Sequence, residues 1–143
     1  MTPVAINYLA VLAAAVCSII LGSIWYGPLF GKKWAKLMGI NMPSNPTKEM
    51  KNAMYKSYGF MGVGSLVMAF VMAHSTIFAM TYTNTFGLMG GLMSGFWNWL
   101  GFILPVTMGD QLWGGKSWKL LPITAGYYLV SLLIMGSILA IWR

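Results

Sequence analysis

The chain has 143 residues, enough for one domain, and is 58% hydrophobic but only 8% charged, whereas about a quarter of a soluble domain is charged. Its net charge of +7 does not mark a nucleic-acid binder, because six of its nine basic residues crowd between Lys32 and Lys56, in one gap between apolar runs. Cys17 is the single cysteine, and there are one histidine and two acids. That inventory excludes an intramolecular disulfide and leaves no set for a metal centre, a cofactor or a nucleophile–base–orienter site; the expectation is a non-enzyme.

The first apolar run, residues 4–24, would span about 31 Å as a helix, enough to cross a bilayer core. No basic n-region precedes it, so it is expected to stay as a span rather than be removed as a signal. Ala10, Ala14, Ser18 and Gly22 recur every fourth residue and predict a face that another helix approaches closely. Cys17 sits mid-run and is expected to pack as a small apolar side chain.

The run gives way to Trp25-Tyr26-Gly27-Pro28-Leu29-Phe30-Gly31-Lys32-Lys33-Trp34. Indole and phenol rings favour the boundary between hydrocarbon and water, and Pro28 biases the residue before it away from the helix. The stretch therefore reads as a membrane exit: the helix ends, Trp25, Tyr26 and Trp34 anchor at the interface, and Lys32 and Lys33 face water. The loop 25–57 is expected to hold a short amphipathic segment, with Trp34, Leu37, Met38 and Ile40 against Lys32, Lys33 and Lys36. Asn45-Pro46 reads as an N-cap with proline at the first helical position, opening a helix that runs on into the membrane.

The second span is expected at 58–80, with a small-residue row at Ser65, Ala69 and Ala73 and the sole histidine, His74. A tight hairpin at 81–85 leads into the third span, 86–108. There Gly87, Gly91 and Gly95 form a tandem GxxxG, beside a second row of Gly90, Ser94 and Asn98. Pro105 is expected to kink or end that helix. The loop 109–119 carries Asp110, Lys116 and Trp118. The fourth span, 120–142, has Gly136 and Ala140 as a small pair and Arg143 as an end anchor.

The expected fold is thus all-α, a four-transmembrane-helix bundle. Counting loop charges places both basic loops in the cytoplasm and both termini outside, in the cell membrane. The two basic loops share Gly-x-x-Leu-aromatic-Gly followed by Lys-x-Trp, with one extra glycine in the second. That points to a duplicated helical hairpin, or to the common chemistry of helices leaving a bilayer.

Four segments together, the Trp25–Trp34 exit, Met72-Ala73-His74, Trp99-Leu100-Gly101-Phe102 with Pro105-Val106-Thr107, and Gly126-Tyr127-Tyr128-Leu129-Val130-Ser131-Leu132, resemble the bacterial family known as domain of unknown function 1761. The resemblance covers nearly the whole chain and implies a small four-span membrane protein without an assigned activity. It departs from the family pattern at Trp113-Gly114-Gly115, where an acidic residue would be expected before the glycine. The exit is also similar to the Trp-Tyr element of the tryptophan-rich sensory protein family, which has five spans.

Counting residues from the hairpin places His74 near the depth of Gly90 and Gly91, and counting from the outer ends brings Asn7, Tyr8 and Ser137 to the same layer. His74 there is either a structural histidine or a proton- or ligand-sensing group. Asn98, near mid-span with Ser94 a turn away, must face a helix, a second subunit or a wet cavity. Asp110 is expected to pair with Lys116, Lys119 or, across the loops, Lys32. Two functions follow. An oligomer could bind or pass a small neutral or apolar ligand; alternatively, an accessory subunit could hold anionic lipid or a protein partner through its basic loops. The GxxxG face is expected to be buried by a homo-oligomer.

Overall fold

Asn7 opens the first helix: its Oδ1 accepts the N–H groups of Leu9 and Ala10 at 3.0 and 3.2 Å, satisfying two donors that a helix start leaves free. In the computed structural model, which describes residues 5–41 and 43–143, helix α1 then runs Tyr8–Ile24. Residue 4, where the first span was expected to begin, lies outside the described residues.

The chain does not leave the helix at Pro28, contrary to expectation. Proline has no N–H for the carbonyl four residues back and its ring crowds that oxygen. The backbone instead widens into a π-helical turn, Trp25–Leu29, in which Phe30 donates to the Trp25 carbonyl five residues earlier, at 2.8 Å. Helix α2, Gly31–Met38, follows directly. It buries Gly31 and Ala35 and exposes Lys32, Lys33 and Lys36, as the amphipathic pattern predicts.

Helix α3 covers Lys48–Thr83, 36 residues without interruption, or about 54 Å against a bilayer core of about 30 Å. Its N-cap is Thr47, whose Oγ1 accepts from Met50 at 3.3 Å, rather than Asn45. Thr47 is extended at ψ 165°, as an N-cap is, and its hydroxyl reaches forward to the free N–H of Met50. Asn84 ends α3 in the left-handed region at φ 52°, and the predicted hairpin is in place.

The third predicted span divides into α4, Gly87–Asn98, a second π-helical turn, Trp99–Ile103, and α5, Leu104–Leu112. Pro105 is responsible in the same way as Pro28: the helix widens just before it, and Leu104 donates to the Trp99 carbonyl. After a short 3₁₀ turn, Trp118–Leu120, helix α6 runs Leu121–Ile141. The described residues contain no strand. Three stretches are long and apolar enough to cross a membrane, Tyr8–Leu29, Lys48–Thr83 and Trp118–Ile141.

α3 and α6 touch each other, and both touch α1 and α4. The four form a diamond with α1 and α4 at its far corners. The core is made of small residues and methionines: Ala10, Ala14 and Ala15 of α1, Ala69, Met72 and Ala73 of α3, and Leu132, Met135 and Leu139 of α6. Of the predicted row Ala10, Ala14, Ser18 and Gly22 the first three are buried and Gly22 is half-buried beside Tyr127, while the row Ser65–Ala69–Ala73 is buried throughout. Short side chains there let the backbones come near enough for dispersion contact along their length.

The most intimate contact joins α4 to α6. A Cβ at Gly91 would fall on the Gly136 carbonyl, and one at Gly95 on that of Leu132. The GxxxG face is therefore covered by the chain's own last helix, so it is not the face a second copy would bury. Gly87 does not belong to that face: it has φ 67° and nothing within 4 Å of a Cβ, so it serves the turn.

Candidate functional site

Asn98 ends α4 near mid-span and faces α3. Its Nδ2 donates to Ser75 Oγ at 2.8 Å and to the Ser94 carbonyl at 2.8 Å. Behind it, Thr76 Oγ1 donates to the buried Ser94 Oγ at 3.2 Å. Both amide hydrogens are thereby used within the protein, while Oδ1 accepts no hydrogen bond among the described residues. Asn98, Ser75 and Ser94 edge an open cleft of about 270 Å³ between α3 and α4, walled by Met93, Trp97 and Phe102 and reaching Thr83. It offers an acceptor and hydroxyls at its floor, with flat apolar rings around them. That is the chemistry of a site for a small amphipathic molecule.

A second polar layer ties α1 to α6. Ser18 Oγ lies 2.7 Å from Ser131 Oγ and 3.2 Å from Tyr127 Oη, all three buried. Trp25 Nε1 donates to the Ile123 carbonyl at 2.9 Å, and Trp99 Nε1 to the Ala125 carbonyl at 2.8 Å. Each π-helical turn thus opens with a tryptophan whose indole grips the first turns of α6. A bond of this kind is favourable where no water competes for the carbonyl.

The exit aromatics turn inward as a result. Trp25 packs on Phe30 at 4.9 Å between ring centroids, and Tyr26 lies 5.3 Å from Tyr127 and 5.5 Å from Trp34. Trp25, expected as an interfacial anchor, also serves as a tie between helices. Trp118 remains exposed, with Lys32 and Lys33.

The predicted outer polar layer does not assemble. His74 Nδ1 donates to its own helix, to the Phe70 carbonyl at 2.9 Å, with its ring edge-on to Phe70. Gly90 and Gly91 are approached instead by Met80 and Gly136, and His74 does not line the cleft. Asn7 caps α1, Ser137 bonds the Leu133 carbonyl, and Tyr8 is 71% exposed. Carbonyls one turn back and free N–H groups at a helix start are nearer partners than another helix. Asp110, on the last turn of α5, pairs with Lys116 at 3.3 Å, one of the expected partners, rather than across to Lys32. Ser94 and Asn98, both singled out in the sequence, meet at the cleft; Ser75, Thr76, Trp97, Tyr127 and Ser131 were not singled out as site residues. Their one signal is hydroxyl or indole chemistry at matching depth. Gln111 was also missed; it is 8% exposed and its Oε1 finds no partner among the described residues.

The architecture is that of a membrane-type helical bundle, with most of its buried polar groups paired inside and large apolar side chains outside. The chain belongs to a family described as "Protein of unknown function (DUF1761)", whose model matches residues 9–140. No curated protein and no solved structure matches it.

Proposed function

We propose that the chain is a multi-pass protein of the cell membrane that binds a small neutral or apolar ligand in the α3–α4 cleft, without catalysis. It crosses four times, the third crossing being α4 with its π-helical turn and α5, and the two halves derive from a duplicated helical hairpin. Both termini lie outside the cytoplasm, and the lysine-bearing ends lie within it. The observation that carries the ligand reading is the free Asn98 Oδ1 at the edge of a lipid-depth cleft. An acceptor left without a partner in hydrocarbon is costly, and a ligand hydroxyl or amide would satisfy it. The proposal includes no homo-oligomer through Gly91 and Gly95, because α6 occupies that face.

The test uses purified protein in lipid nanodiscs and a neutral naphthyl ketanol fluorophore, carrying one hydroxyl, as the probe. Saturable binding is expected, weakened about tenfold by Asn98→Leu, the worth of one hydrogen bond made away from water. Trp97→Ala is expected to weaken it as well. Unchanged binding in both variants, with helix content intact by circular dichroism, overturns the cleft. Orientation is checked separately by labelling engineered thiols at positions 40 and 83, which are expected on opposite surfaces.

A further inference from the structure

Three glycines of α3 have no packing reason to be there. A Cβ at Gly59 or Gly64 would meet nothing within 4 Å, and one at Gly62 only the tip of Ile19, at 3.9 Å. At 100° per residue they point in three different directions around the axis, so they do not make a contact face for another helix. Each weakens the helix relative to alanine, because glycine gives up more backbone freedom on ordering. Three in six residues therefore weaken α3 at one place.

The segment before them projects from the bundle. Gly62 is level with Ile19, so Trp25, six residues on, is level with Lys56, six residues back. The turns from Lys48 thus lie beyond the Trp25 layer, by roughly 12 Å. Every residue from Lys48 to Met61 is exposed. Met50, Met54 and Tyr58 follow at spacings of four and form one apolar stripe, 41–65% exposed. Lys48 and Lys56 lie off the stripe, Lys51 borders it beside Tyr58, and α2 adds Lys32, Lys33 and Lys36 at the same end. Glu49 is the sole acid among them. Two copies pairing through this end would set six lysines against six, so a second copy is disfavoured.

We infer that residues 48–58 form an amphipathic arm, hinged at Gly59–Gly64, that folds down onto an anionic lipid surface. The methionine stripe enters the boundary between headgroups and acyl chains, and the lysines meet lipid phosphates. The inference rests on the membrane placement proposed above and is independent of the cleft.

The full chain, with Cys17→Ala, is labelled with an environment-sensitive fluorophore at Met54→Cys and reconstituted into vesicles with or without phosphatidylglycerol. With phosphatidylglycerol, the label is expected to move from water into the interface, losing accessibility to an aqueous quencher severalfold. Each of Lys48→Gln, Lys51→Gln and Lys56→Gln is expected to lower that partition about fivefold. The triple variant Gly59→Ala, Gly62→Ala and Gly64→Ala should fold and stay water-exposed in both lipids. A label that stays in water in both lipids, or a triple variant that moves like the parent, overturns the inference. So does shielding in native membrane vesicles but not in the liposomes, which assigns the stripe to a protein partner. A control label at Val67→Cys reports membrane placement: if it is aqueous, the placement fails rather than the hinge.

Discussion

The same residue serves two opposite ends in this molecule. In α4, Gly91 and Gly95 are irreplaceable because the α6 backbone occupies the space where a side chain would begin. In α3, Gly59 and Gly64 face open space, and their effect is on the helix that carries them. Sequence spacing alone favours α4, since Gly87-x-x-x-Gly91-x-x-x-Gly95 is a packing pattern and Gly59-x-x-Gly62-x-Gly64 is not. The structure adds what meets each position, and that decides the sign of a substitution. A glycine stabilises a membrane helix only where another backbone comes close enough to use its missing side chain.

The sharpest way to break this comparison is Gly91→Ala. The new methyl must displace the α6 backbone, and a loss of about 3 kcal/mol is expected, seen as a lower thermal unfolding midpoint in detergent micelles. An unchanged midpoint would mean the α4–α6 seam is looser than described. Ser131→Ala comes next, leaving Ser18 short of one partner at the α1–α6 contact; about 1 kcal/mol is expected in the same assay. Trp99→Phe removes the bond to the Ala125 carbonyl and should cost a similar amount, with helix content retained. The smallest effect has the opposite sign. Gly64→Ala is expected to stabilise α3 by about 0.5–1 kcal/mol, and hydrogen exchange at residues 59–64 should slow. If Gly64→Ala destabilised the protein as Gly91→Ala does, the distinction between the two sets would be lost.

The helices were largely legible in the sequence. Runs of apolar residues, the small-residue rows of α1 and α3 and the turn near Asn84 are local signals, and each stands where expected. Less legible was the course of the chain through its prolines. Pro28 and Pro105 can either stop a helix or widen it, and the choice depends on whether the next segment has a surface to pack on. α2 and α5 supply one, burying Gly31, Ala35, Thr107 and Gln111. For the site, Ser94 and Asn98 were legible because a polar group at mid-span needs a partner. Of the two readings of His74 the structure shows a structural hydrogen bond, made within its own helix to a carbonyl one turn away rather than across to a neighbour.

What the sequence determined by itself was an all-helical chain of long apolar runs with its basic residues gathered between them, since length, hydropathy and charge are summed along the backbone. Only the tertiary structure decided which polar groups meet, which glycines touch, and that Trp25 and Trp99 turn inward to α6. Those outcomes depend on the rotation and tilt of each helix about its neighbours. A shift of a single residue in register would exchange the partners while leaving every local pattern unchanged.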